Sequence, residues 1–176
     1  MIPGELLMKA TVDQIWRHTV KSLGAEKVST ISLQAKKTLP GDRVWALTYE
    51  NSRFATANPV WAPSQVFLRC SIAPLFAAVS TKLNESDGNI EFYHPQLPNI
   101  CLNLDNASER KQFIEWVRPI CPEGVPQPID LCRVPGRGMT DTNYPSVSLN
   151  SISSLNDLSN KMYIIVHLRR FRGNFL

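Results

Sequence analysis

Apolar residues recur at spacings of three and four near the start of the chain. Val12, Ile15, Trp16, Val20 and Leu23 fall on one stripe of a helix predicted over residues 11–23, with Thr11 and Gln14 at capping-box spacing and Gly24 as its stop. The period then changes to two. In residues 28–36, Ile31, Leu33 and Ala35 alternate with Ser32, Gln34 and Lys36, and in residues 43–50, Trp45, Leu47 and Tyr49 alternate with Val44, Ala46 and Thr48. Between these runs stand Leu39, Pro40, Gly41 and Asp42, where proline sets the first central dihedral and glycine supplies the positive second one of a type II turn. The pattern predicts a β-hairpin.

Pro59 and Pro63 mark a loop over residues 52–64, and the alternation of Val66, Leu68, Cys70 and Ile72 predicts a strand over residues 65–72. Pro74 suits the first position of a short helix over residues 74–83, although a strand fits that piece equally well. Residues 90–94 and 100–104 read as a second hairpin across residues 95–99. Asn106 and Glu109 repeat the capping spacing ahead of a helix that Pro119 closes. From there Pro119, Pro122, Pro126, Pro128, Pro135 and Pro145 alternate with Gly124, Gly136 and Gly138, a density at which no regular element is expected through residue 147. A loop of that length is either functional or an arm lying on a neighbour, with Pro122, Pro126, Pro128, Arg133 and Arg137 as its partner contacts. Residues 148–160 suit a short helix through Ile152, Leu155 and Leu158, and residues 161–176 a final strand.

This order lacks the strand–helix alternation of a doubly wound sheet. It predicts an α+β fold with a mainly antiparallel sheet of about five to six strands, two or three packed helices and a long proline-rich loop. With 176 residues, 43% hydrophobic and 19% charged, residues 1–176 suit a single domain, with 119–147 as the proline-rich arm or loop. No apolar run is long enough to span a bilayer, and the first residues lack the basic start and apolar stretch of a secretory signal. An intracellular location, cytoplasmic or nuclear, is the expectation, with association to a virion as the other setting of such a chain.

Charge changes the picture at one end. The net charge is +4, from 19 Lys and Arg against 15 Asp and Glu. No acidic residue follows Asp157, whereas Lys161, Arg169, Arg170 and Arg172 do, so the whole excess lies in the tail. On a strand the arginines emerge on both faces. A core strand with a solvated end accounts for that pattern, and so does an anion contact in which Lys161, Arg169, Arg170 and Arg172, interleaved with Phe171 and Phe175, meet nucleic acid, an anionic membrane surface or an acidic partner.

Candidate chemistry is sparse. Cys70, Cys101, Cys121 and Cys132 lack the paired spacing of a zinc site and suit buried, reduced thiols. The histidines are His18, His94 and His167, and a thiol–imidazole pair such as Cys70 with His94 is the one nucleophilic arrangement open to the composition. No phosphate loop or nucleophile elbow is present. The run Val134-Pro135-Gly136-Arg137-Gly138 reads as a turn presenting Arg137. These residues point first to a non-catalytic structural or assembly protein, of the size of a small viral matrix or coat subunit. In that reading it self-associates, takes no cofactor or metal, and contacts nucleic acid or an anionic surface through its basic C-terminal strand. A monomeric protein-binding adaptor and a small thiol-dependent enzyme are the alternatives.

Overall fold

A computed structural model describes residues 10–176. Its eight strands lie in three sheets, mostly antiparallel, with two α-helices, an α+β architecture. The most regular sheet is the meander of β5 (Ser80–Leu83), β6 (Asn89–His94) and β7 (Leu97–Asn103). The expected hairpin of residues 90–104 is its second half, with Ile90 opposite Leu102 and His94 opposite Leu97. Pro98 sits in β7, the outer strand, where a missing donor costs no ladder bond.

Helix α1 (Ala107–Val117) follows as the capping spacing predicts. Asn106 accepts the Ser108 N–H at 2.9 Å, while Glu109 reaches back to the Asn103 N–H at 2.7 Å. Phe113, Ile114, Trp116 and Val117 are buried and turned to the core. Phe113 packs tilted against Phe92 of β6, ring centres 4.7 Å apart, and the Trp116 indole N–H donates to the Pro98 carbonyl at 2.6 Å. Leu23, Leu47, Leu68, Phe76 and Ile90 complete the same cluster.

The second sheet corrects several expectations. Its centre is β4 (Trp45–Tyr49), paired in parallel with β2 (Val20–Lys21) and antiparallel with β8 (Pro128–Cys132). Trp45, Ala46, Leu47 and Thr48 are all buried, so β4 is covered on both faces, and its partners come from far along the chain. The hairpin arm expected at residues 28–36 is absent. The turn at residues 39–42 does form, with the Asp42 N–H on the Leu39 carbonyl at 3.0 Å and Gly41 at φ +72°. Strand β8 arises inside the proline-rich arm, where no regular element was expected. Pro128 is tolerated because it opens the strand beside a register shift at Tyr49.

The helix expected over residues 11–23 is also absent. Residues 15–17 form β1 (Ile15–Arg17), paired with β3 (Glu26–Val28), and β2 follows at once. Helical spacing presumes that polar residues face water, yet Arg17, His18, Thr19 and Lys21 are buried and Val12 is exposed. Residues 65–72 form a short 3-10 turn (Ser64–Val66) and loops instead of a strand, because the adjacent Phe67 and Leu68 both enter the core. The next piece divides into a 3-10 turn (Pro74–Ala78), opened by Pro74 as expected, and β5.

The final strand is the largest correction. Helix α2 (Ile152–Met162), capped by Ser151, runs on through Lys161 and Met162 and stops at Tyr163, whose φ of 54° lets the Ile164 N–H return to the Ser159 carbonyl. Of residues 162–168 only Val166 is buried, so this stretch is not the core. The true core contribution lies further on. Residues 174–176 thread between residues 13–16 and 148–150: the Trp16 N–H donates to the Asn174 carbonyl at 2.7 Å and the Asn150 N–H to the Phe175 carbonyl at 2.8 Å.

Candidate functional site

The expected tail residues separate into three groups. Lys161 is exposed and pairs with Asp157 at 2.8 Å, one helical turn away. Arg170 and Phe171 are exposed. Arg169 and Arg172 are turned inward: Arg169 donates to the Val79 carbonyl at 2.7 Å, and Arg172 to the Gly24 and Val20 carbonyls at 3.1 and 3.4 Å. Phe175 is buried beside Ile15 and Leu149 and offers no stacking face. The three arginines are therefore not presented side by side, Arg170 facing out and Arg169 and Arg172 facing in.

An uncharged stretch just after Lys161 is more open. Met162, Tyr163, Ile164 and Ile165 are exposed in succession, Tyr163 at 94% and Ile165 at 95%. Beside them, Leu155 and Leu158 of α2 form a small groove with Leu168, Phe171 and Leu176. The hydrophobic run is visible in the sequence, but its alternation predicts a buried strand.

Beneath the tail lies a buried polar knot. Asp42 accepts the His18 backbone N–H at 2.7 Å and the Asn174 amide at 3.1 Å, and its other oxygen pairs with Arg43. Arg43 also donates to the Arg172 carbonyl at 2.8 Å. The His18 ring lies between the Gly24 carbonyl, 3.1 Å from Nδ1, and the Gly173 carbonyl, 3.3 Å from Nε2. Burial, then the Arg172 and Arg43 charges, push its pKa down to about 4 against the pull of Asp42. Burial also lowers Arg172 to about 10. Nearby, Lys21 donates to the Met139 carbonyl at 2.9 Å and pairs with Asp141 at 2.6 Å. Burial lowers the Lys21 pKa; burial alone would raise Asp141, but Lys21 outweighs it and holds that carboxyl below the usual range.

The arm residues also divide. Pro128 is buried in β8, Pro126 is exposed and Pro122 half-buried. Arg133 pairs with Asp105 and lies over the Trp45 ring, its guanidinium carbon 5.0 Å from the centre. Arg137 is presented by a turn, as expected, with Val134 bridging Arg137 across Pro135 and Gly136. Arg133 and Arg137 share one groove of about 590 Å³ with Lys37.

The geometry offers little to nucleophilic catalysis. All four cysteines are free thiols. Burial raises the pKa of Cys70, Cys121 and Cys132, the last to about 12, away from the thiolate a nucleophile needs. Cys70 donates to the Ser22 carbonyl, and His94 accepts the Gln96 N–H through Nδ1. Among the described residues no three His, Cys, Asp or Glu side chains gather as metal ligands, and no helix is long and apolar enough to cross a membrane. Comparison with family models, curated proteins and solved structures finds no match to this chain.

Proposed function

We propose that this chain is a non-catalytic structural or assembly protein that docks its C-terminal segment on an anionic lipid surface. The observation that carries this reading is the exposure of Met162, Tyr163, Ile164 and Ile165 in succession, with Phe171 also open. Water is a poor solvent for such a run, and each isoleucine fully removed from it contributes about 1.5–3 kcal/mol. Arg170 flanks the run and makes no ion pair among the described residues, while Lys161 shares its charge with Asp157, so the rim favours a negative surface mainly through Arg170, at about 1 kcal/mol for an unpaired cation. Tyrosine suits the boundary between headgroups and hydrocarbon.

Charge also ranks the other occupants. Nucleic acid satisfies the cations but leaves the aliphatic side chains without a hydrocarbon environment or a base to stack on. A second copy meeting this segment face to face brings like charges together. Flotation with phosphatidylserine-containing vesicles tests the proposal: the protein should float with them, remain behind with pure phosphatidylcholine, and lose binding in an Ile164→Asp, Ile165→Asp variant. Failure to float with either vesicle type, or a doubled mass in light scattering that the same variant abolishes, refutes lipid docking, and equal recovery with both vesicle types refutes its anionic preference.

A further inference from the structure

The groove that holds Arg133 and Arg137 shares no residue with the lipid-docking run. One wall is the turn at residues 39–42 and the other the turn at residues 134–137, with Gly41 at φ +72° and Gly136 at φ +74°. In each, proline fixes the first central φ and the glycine after it admits the positive second one without strain, so the turn needs little rearrangement to receive a ligand. The walls are joined as well. The Gly138 N–H donates to the Thr38 hydroxyl at 3.1 Å, and a Cβ at Gly138 would collide with the Asp42 carbonyl oxygen, so only glycine allows the two turns to close on each other.

The charge of the groove has one sign. Lys37, Arg133 and Arg137 line it, and no Asp or Glu does. The Arg137 guanidinium is held by the carbonyls of Gly138, Asn143 and Thr142 at 3.4, 3.2 and 3.4 Å. Carbonyls orient a cation without cancelling it. Lys37 makes no ion pair among the described residues. Arg133 spends much of its charge on Asp105 and its flat face on Trp45, which makes it a wall more than a ligand-holding group.

We infer that this groove binds a small phosphate-bearing polyanion, with Lys37 and Arg137 holding the phosphates. A monovalent carboxylate would leave one of the two cations uncompensated, whereas phosphate presents several charged oxygens to a guanidinium fork and an ammonium at once. The volume of about 590 Å³ suits a ligand of nucleotide or short polyphosphate size. Preset turns reduce the ordering cost of binding.

Calorimetry with inorganic tripolyphosphate, run beside ATP and adenosine at physiological salt, tests the inference. Tripolyphosphate should bind, and Lys37→Gln and Arg137→Gln should each weaken it roughly three- to tenfold, whereas the pair Lys161→Gln, Arg170→Gln should leave it unchanged. Tighter binding of ATP than of tripolyphosphate identifies a nucleotide, and equal binding identifies the phosphate chain alone. No heat at millimolar tripolyphosphate, unchanged affinity in Lys37→Gln, equal weakening by the tail pair, or adenosine binding as tightly as ATP overturns it. Lys37 makes no structural bond to another side chain, so its variant keeps the test decisive even if Arg137→Gln fails to fold.

Discussion

Acidification should weaken this fold through His18. Its ring is 1% exposed and both nitrogens face carbonyl oxygens. Two acceptors would welcome an imidazolium, since the neutral ring can donate only once. Burial and the Arg172 and Arg43 charges oppose it, and they win, placing the folded pKa at about 4 against an ordinary 6.5. As pH falls the unfolded chain therefore takes up its proton first. The contribution of neutral His18 is complete above pH 6.5 and is lost progressively toward pH 4. A difference of that size corresponds to about 3 kcal/mol across the window, most of it gone by pH 4.5. That is a large part of the 5–15 kcal/mol typical of a domain. Urea unfolding at pH 7.0 and 4.5 measures the loss, and His18→Gln should remove most of it. An NMR titration of the ring midpoint above pH 6.5, or stability that rises on acidification, would show that the carbonyls prevail and would refute the reasoning.

Asp42→Ala leaves the His18 N–H and the Arg43 guanidinium without their carboxylate inside the knot and should cost about 3–5 kcal/mol in urea unfolding. Arg172→Gln removes two inward hydrogen bonds and should lower stability by about 1–2 kcal/mol, whereas Arg170→Gln, on an exposed side chain, should stay within about 0.5 kcal/mol. Equal effects of the two arginine substitutions would contradict the separation of the tail into inward and outward cations.

What local pattern could reveal was the part of the fold made locally. The β6–β7 hairpin and α1 pair or cap within a few residues of themselves, and the two proline–glycine turns follow from backbone chemistry alone. Pattern failed where partners are remote. Residues 17–21 pass through the interior with Arg17, His18 and Lys21 satisfied by Glu26, Gly24 and Asp141, so polarity ceased to report the solvent side. Strand β8 is hidden because proline density alone does not distinguish a proline inside a ladder from Pro128, which opens an outer strand. The alternation in residues 162–168 resembled a core strand, but α2 continues into it and turns the run out to water. The groove was half legible: each turn could be read, but no pattern places residues 39–42 against residues 134–137.

The threading of residues 174–176 between residues 13–16 and 148–150 has a consequence for the order of folding. Asn174 bonds Asp42 across 132 residues of chain and Trp16 across 158. During synthesis the meander and α1 can assemble from neighbouring sequence as they leave the ribosome. The knot cannot. Until residue 174 emerges, Asp42 lacks its amide partner and β1 lacks one edge, so an exposed nascent intermediate persists until residues 174–176 have left the ribosome. Loop closures of that length come late and slowly, which makes the docking of residues 174–176 the step that converts a partly ordered chain into a cooperative one.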